Sequence, residues 1–354
     1  MVTRHNVYYT NSQNMETIEN NSIDFILTSP PYPMIEMWDE LFFEMNNQIK
    51  TEFEKRNYYE SFLLMHNELN KVWKECHRVL KSGGIIAINI GDATRTLNGN
   101  FQLFTNHSLI INYMQKLGMQ SLPVIIWRKT SNKPNKFMGS GMLPVNAYVT
   151  LEHEYILLFR KGDKRKFNKE ETIRRRKSAF FWEERNVWFS DVWTDIVGEN
   201  QKIEKTSNAN RNRNAAFPLE LALRLVNMFS IYEDTILDPF LGTGTTSVAS
   251  AILGRNSIGY EIDNSFESLI MERFGKQLKE TSVKYFENRL KKHKEFIDDY
   301  KNKKNKDIKH FNENFKLPVV TSQEKEIQFY NLSSIEKKEQ KIICNYNEFT
   351  LPLL

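Results

Sequence analysis

The run Asp238-Pro239-Phe240-Leu241-Gly242-Thr243-Gly244-Thr245-Thr246 restricts the possible folds more than any other stretch of this chain. The apolar Thr235-Ile236-Leu237 before it reads as a strand. A helix through Ala251 follows it, and a second strand at Ser257 to Tyr260 ends at Glu261. Strand, glycine turn, helix, strand is the repeating unit of an open α/β sheet. Glycines at a strand's carboxyl end let backbone N–H groups come close to a ligand, and the helix behind adds a partly positive terminus. Glu261, nineteen residues after Gly242, is placed to accept hydrogen bonds from the two hydroxyls of a ribose. An adenosine-containing ligand fits this pair. The turn lacks the Gly-Lys-Ser/Thr ending that holds a triphosphate and the third glycine that a dinucleotide requires. Taken alone, the turn is equally compatible with a strand-to-helix corner that binds nothing.

The remainder alternates in the same way. We expect a short strand around Val7 to Tyr9, a strand at Ile23 to Leu27, and a helix from Tyr58 to Leu80 closed by Gly83-Gly84. A strand at Ile85 to Ile90, a helix from Phe101 to Leu117, and strands at Val124 to Trp127 and Tyr155 to Phe159 come next, with a further helix at Phe217 to Phe229. With 354 residues, 40% hydrophobic and 26% charged, the chain has material for a large core and is neither disordered nor fibrous. No apolar run is long enough to span a bilayer and the first residues carry no signal region, so a cytoplasmic protein without membrane attachment is expected. Two cysteines, Cys76 and Cys344, are too few for a disulfide framework or a thiolate metal site, and no metal is expected.

The second informative motif is Ser29-Pro30-Pro31-Tyr32, which ends the apolar strand at residue 27. Consecutive prolines remove backbone donors and fix φ, leaving a rigid, acceptor-rich corner. Ser29 Oγ and the Pro30 carbonyl can accept the two hydrogens of an exocyclic amine and turn its lone pair toward an electrophile, while Tyr32 offers a flat face to a base. On its own this corner reads as readily as a proline-terminated strand with a packing tyrosine.

Taken together, Leu27-Thr28-Ser29-Pro30-Pro31-Tyr32 and Asp238 through Thr246 resemble the motifs of the β-class amino-methylating DNA methyltransferases, in which the catalytic motif precedes the cofactor motif. Ala216-Phe217-Pro218-Leu219-Glu220-Leu221, Leu253-Gly254-Arg255, Gly259-Tyr260-Glu261-Ile262-Asp263 and His153 through Phe159 extend the likeness, which covers about Val7 to Phe266. The resemblance implies a permuted, doubly wound mixed α/β sheet of the S-adenosylmethionine-dependent methyltransferase type, with an inserted target-recognition region and a C-terminal helical extension. It implies S-adenosylmethionine held by Phe217, Pro218, Asp238, Phe240, Gly242, Gly244, Thr245 and Glu261, and a methyl-transfer pocket of Ser29, Pro30, Pro31 and Tyr32. A serine at the first catalytic position favours the N4 amine of cytosine over the N6 amine of adenine. The implied role is protection of host double-stranded DNA in a restriction-modification system, with the cognate endonuclease a genetic rather than physical partner. Two departures stand out: Asn11 where relatives usually carry Asp, and Arg213-Asn214 in place of the usual His-Pro.

Methyl transfer to an amine needs neither metal nor covalent intermediate, whereas attack at cytosine C5 would need an activated cysteine that is missing from every plausible site. The target base must leave the duplex to reach such a pocket. Between Arg160 and Lys177 ten Lys or Arg stand against three acidic residues, and Arg174, Arg175, Arg176 and Lys177 are the expected phosphate contacts. The expected divisions are 1–159 as the catalytic half, 160–213 as the recognition insert, 214–263 as the cofactor half and 264–354 as a charged extension of open role. Lys291 to Lys309 reads as a solvated helix face, His153-Glu154 as a structural strand element and Asp92 as a turn residue. The charge cluster Trp127-Arg128-Lys129 suits a strand end or a phosphate contact equally. An adenine target, or a nucleic-acid-binding protein that has lost catalysis, are the competing readings.

Overall fold

The computed structural model describes residues 1–129, 138–198, 217–304 and 308–350. One eleven-stranded sheet organises them. At its centre the strands Leu80–Ile90, Ile23–Thr28, Thr235–Asp238, Asn256–Tyr260 and Val2–Tyr8 lie side by side and parallel. His153–Lys161 pairs antiparallel with Leu80–Ile90, and Ile125–Arg128 pairs antiparallel with His153–Lys161 in turn. Val192–Trp193 closes that edge.

Residues along the central strands alternate between two apolar cores, one on each face of the sheet: Phe25 and Leu27 enter one, Ile23 and Ile26 the other. Strands buried on both faces are the signature of a doubly wound sheet, and the Ile23–Thr28 strand has no exposed residue. The Tyr58–Val79 helix covers one face through Phe62, Met65, Leu69, Val72 and Trp73; the Leu219–Phe229 and Thr245–Ile252 helices cover the other. Ile236 pairs with Phe25 and Leu237 with Ile26, so residues 29 and 238 emerge next to each other at the carboxyl ends of adjacent strands. Chain order breaks at this pair, which is where an open α/β sheet forms its ligand crevice.

Three expectations need correction. Phe101 to Phe104 is not helical. Ala93–Leu97 and Asn100–Phe104 form a hairpin, and the helix is only Asn106–Lys116. Asn98 and Gly99 both hold positive φ (49° and 79°), the Asn-Gly pattern of a two-residue hairpin turn, and this local preference prevails over the apolar spacing. Gly83 and Gly84 lie inside the Leu80–Ile90 strand; the helix before them stops at Val79.

The third correction concerns the C-terminal region, which is more than a helical extension. After the Lys276–Lys304 helix, Tyr330–Lys338 and Lys341–Glu348 form a hairpin that joins the main sheet antiparallel to Val2–Asn6. The described part of the expected 160–213 insert packs against this region. Phe181 stacks on His293 at 3.9 Å, Arg289 forms a bidentate pair with Glu184 at 2.6 and 2.7 Å, and the Trp182 N–H donates to Glu324 at 2.9 Å. Residues 160 and 264 are therefore not structural breaks. Both segments buttress one sheet.

Candidate active site

The two motifs meet. Thr28 Oγ1 donates to Asp238 Oδ1 at 2.7 Å, Thr246 Oγ1 donates to Asp238 Oδ2 at 2.6 Å, and the Phe240 N–H donates to the same carboxylate at 3.1 Å. Asp238 thus fastens the catalytic strand, the glycine turn and the following helix to one another. Burial pushes its carboxyl up to about 6, an effect these three donors only partly offset.

A cleft of about 420 Å³ opens there, within the range of small-molecule sites. Its wall includes Ser29, Pro30 and Pro31 on one side, and Phe217, Asp238, Phe240, Gly242, Thr245 and Glu261 on the other. Asn11 and Ser12 also line it, so the Asn11 departure falls on the cleft itself. Arg213 and Asn214 lie outside the described residues.

The glycine turn owes its shape to its neighbours. Gly242 and Gly244 hold φ of 53° and 82°, a region costly for residues with a Cβ. A Cβ on Gly242 would have nothing within 4 Å, so the backbone there faces open cleft and can approach a ligand. The Leu241 N–H donates to Tyr260 O at 2.8 Å, and a Cβ on Gly259 would stand 2.5 Å from Leu241, so the turn lies directly on the next strand. Glu261 Oε2 accepts from the Gly242 N–H at 2.7 Å and Oε1 from the Asp263 N–H at 2.9 Å, which sets the carboxylate at the rim of the cleft. Gly244 and Pro218 shape the site from behind: Gly244 caps the Thr245–Ile252 helix, and Pro218 caps Leu219–Phe229 just after Phe217. Sequence reasoning missed Arg273, which donates to Thr243 O at 2.8 Å and to Thr243 and Thr245 Oγ1 at 3.0 Å each. It clamps the turn from a helix that no local motif marks.

An open backbone at the turn, an acidic rim at the next strand's tip and an aromatic wall from Phe217 and Phe240 suit a nucleoside with a charged tail. The residues present therefore fit the group that the motifs imply.

The serine corner carries a network that was also missed. Tyr32 OH donates to Glu154 Oε2 at 3.1 Å and lies 3.1 Å from Ser29 Oγ. Asn89 Nδ2 donates to Tyr32 OH at 2.9 Å and to Glu154 Oε2 at 2.7 Å, and Lys129 Nζ donates to Glu154 Oε1 at 2.6 Å. Burial, and after it the Glu154 carboxylate, holds the Tyr32 phenol well above its ordinary range, so it stays protonated. The Tyr32 ring lies against Gly91, where a Cβ would sit 3.0 Å from Cε2. Glu154, read from the sequence as a strand element, is joined to the serine through one hydroxyl. Asp92 bonds His107 Nδ1 at 2.8 Å, beyond the turn role expected of it.

The basic run is elsewhere. Arg174 pairs with Glu233 at 2.9 Å, Arg176 with Glu326 at 3.0 Å, Arg175 covers the Phe167 ring at 4.5 Å, and Lys177 Nζ reaches Tyr330 OH at 3.4 Å. Glu233 precedes the Thr235–Asp238 strand, so this helix, Lys169–Lys177, lies at the amino ends of the strands and the cleft at their carboxyl ends. The structure does not bring these four residues to the site, because their charges are turned toward the protein's own acids and rings. The parallel pairing of Val192–Trp193 with Ile126–Trp127 sends the chain back to the cleft end, where Trp127 Nε1 donates to Ile196 O at 3.0 Å. Residues 199–213 of the expected insert lie outside the described residues.

The chain is similar to known proteins over most of its length. The family model described as DNA methylase, for N6 and N4 methyltransferases, matches residues 23–273. The Type II methyltransferase M.MthZI of Methanothermobacter thermautotrophicus is 52% identical over 332 residues, 93% of this chain and 91% of that one. M.MjaI of Methanocaldococcus jannaschii, also a Type II methyltransferase, is 50% identical over 286 residues, covering 78% of this chain and 92% of its own. Among solved structures, a DNA modification methylase from Thermus thermophilus, complexed with S-adenosyl-L-methionine, superposes with a TM-score of 0.60 at 32% identity, over 77% of this chain and 94% of that one.

Proposed function

The chain belongs to the N6/N4 DNA methylase family and uses S-adenosylmethionine, and from that premise we propose that it methylates the N4 amine of a flipped cytosine in duplex DNA. The observation that carries this reading is the 2.7 Å bond from Thr28 to Asp238, which sets a serine-proline corner and a glycine turn on the same cleft.

When bound, S-adenosylmethionine supplies a methyl carbon made electrophilic by a cationic sulfur. Phe217, Asp238, Phe240, Gly242, Thr245 and Glu261 would hold it, with Glu261 toward the ribose, and Pro218 and Gly244 would fix the wall. On the other side Ser29 Oγ and the Pro30 carbonyl accept the two amine hydrogens, and Pro31 keeps the corner rigid. Two acceptors on one nitrogen draw its lone pair out of the ring's conjugation and aim it at the cleft. Tyr32 is not part of the cleft wall; its ring packs on Gly91 and its hydroxyl is tied to Glu154, Asn89 and Ser29, so it supports the serine from behind. The resemblance to the β-class enzymes supports cytosine over adenine, since these more often carry Ser at the first catalytic position for the N4 amine of cytosine and Asp for the N6 amine of adenine.

A base inside a duplex cannot reach this corner, so the base leaves the stack at a cost of about a few kcal/mol. The duplex would lie across the cleft end of the sheet. Arg128 stands there, largely exposed though paired with Glu152 at 2.9 Å, and the Met138–Gly139 and Ala147–Tyr148 hairpin, stacked through Tyr148 on Phe101, carries exposed Met142, Leu143 and Val145, suited to filling a gap in a base stack. We further propose protection of host DNA from a cognate endonuclease, as fits relatives of the Type II kind. The test is to modify DNA with labelled S-adenosylmethionine, digest it to nucleosides and separate them. Label in N4-methyldeoxycytidine is expected. Label in N6-methyldeoxyadenosine would move the target to adenine, and no label with the cofactor bound would leave a DNA-binding protein without catalysis.

A further inference from the structure

The polar chain behind Ser29 has a direction. Tyr32 has one proton, and it goes to Glu154, a carboxylate that can only accept. The Tyr32 oxygen can then only accept, taking an N–H from Asn89 at 2.9 Å with the Gly91 backbone donor beside it, and the contact with Ser29 Oγ at 3.1 Å must be donated by the serine. Turning the Asn89 amide over would place its oxygen 2.7 Å from a carboxylate oxygen, so the amide orientation is fixed as well. With its proton committed inward, Ser29 faces the cleft with lone pairs alone. Lys129 Nζ lies 2.6 Å from the other oxygen of Glu154 and stands partly in solvent.

We propose that Ser29, Tyr32 and Glu154 form a relay that first fixes the serine oxygen as an acceptor for the target amine and then carries the released amine proton to the Glu154 carboxylate. This rests on the reading that the serine corner receives an exocyclic amine, and it holds for either base. In the transfer the amine nitrogen forms the new bond to the methyl carbon with its lone pair. The bond from that carbon to sulfur breaks, its electron pair staying on sulfur, and the nitrogen is left with one proton too many. That proton passes to Ser29 Oγ, the serine proton passes to the Tyr32 oxygen, and the tyrosine proton passes to Glu154 Oε2. Glu154 ends neutral beside Lys129 and returns its proton to solvent along that exposed side. Glu154 touches no reacting atom and is a positioning residue that acts through Tyr32.

The test compares Glu154→Gln, Tyr32→Phe and the double variant. Single-turnover methyl transfer is measured beside the dissociation constants for S-adenosylmethionine and DNA. Each single variant should lose about 10²-fold in rate, as loss of an acid–base partner does, with both affinities kept within about twofold. The double variant should be no slower than the slower single one, because each change cuts the same chain. Glu154→Asp should recover part of the rate. Independently of turnover, the carbon-13 resonance of the Tyr32 phenol followed against pH should show its titration moving down toward the ordinary tyrosine range in Glu154→Gln. A wild-type rate in either single variant, losses that multiply in the double variant, or an unmoved Tyr32 titration would each overturn the relay. If the wild-type enzyme itself puts no methyl on a base nitrogen, the functional reading fails rather than the relay.

Discussion

The two ends of the central strands handle charge in opposite ways. At the amino ends, Arg165 makes a bidentate pair with Asp234 at 2.7 and 2.9 Å, lies 3.6 Å from Asp24, and bonds Glu171 at 3.1 Å. Arg174 and Arg176 continue the pattern with Glu233 and Glu326. At the carboxyl ends, Asp238, Glu154 and Glu261 are held mainly by hydroxyls, N–H groups and a single lysine, and Asp238 and Glu261 border an open cleft. The first arrangement neutralises charge to hold the chain together. The second keeps acceptors oriented around a space. A dense basic run is thus a weaker sign of a polyanion surface than its composition implies, because buried acids on distant segments can claim it.

Substitutions at the two ends should separate stability from catalysis, and the heaviest loss belongs to the amino end. Arg165→Ala strands Asp234, which is 3% exposed, while Asp24 keeps Lys81 at 2.7 Å; the substitution should lower unfolding stability by about 3 kcal/mol in denaturant titrations. Its methylation rate per folded molecule should match wild type, since the lesion is at the far end. Ser29→Ala should do the reverse: about 10²-fold slower single-turnover transfer, or roughly 2.7 kcal/mol, with unchanged midpoint and unchanged cofactor affinity.

A pH series probes the same division. Asp238 has a folded pKa of about 6 against an ordinary 3.8, so the folded chain holds this proton more tightly than the unfolded one. Its contribution to stability therefore falls as pH rises from about 3.8 to 6, and Asp238→Asn should remove that slope from the stability–pH curve. A curve that keeps its slope would place Asp238 in a wetter setting than its 2% exposure indicates.

The mildest changes concern the basic helix. Replacing Arg174, Arg175 and Arg176 together with alanine should cost less than about 1 kcal/mol per residue and leave the salt dependence of DNA binding unchanged. Arg128→Ala, at the cleft end, should instead lower that slope by about one. The opposite outcome would restore the basic helix as the DNA face.

Much of the fold and half of the site were legible because the signals were local. A strand that ends in Ser-Pro-Pro and a strand that ends in a glycine turn each state their geometry within nine residues, and doubly wound topology then makes them neighbours. Other features depend on pairings that no short window contains. Glu154 reaches Tyr32 only because Tyr155 pairs antiparallel with Ile90, and Arg273 reaches the turn from the far side of a strand and two helical segments. The C-terminal hairpin went unread because its partner is the first strand of the chain. One local signal was overlooked: Asn98-Gly99 marks a hairpin turn, yet the apolar residues around it imitate helical spacing.

Methyl transfer here requires the corner at 29–32 and the turn at 238–246 to form one working site at the carboxyl ends of the strands. Hydrogen–deuterium exchange can show this, read peptide by peptide on the free protein, with S-adenosylmethionine, and with cofactor and DNA together. Protection is expected at 238–246 and 261 with cofactor, added protection at 29–32 and 89–92 with DNA, and no change at 169–177. Protection confined to 169–177 on adding DNA, with residues 29–32 unaffected, would contradict a shared site.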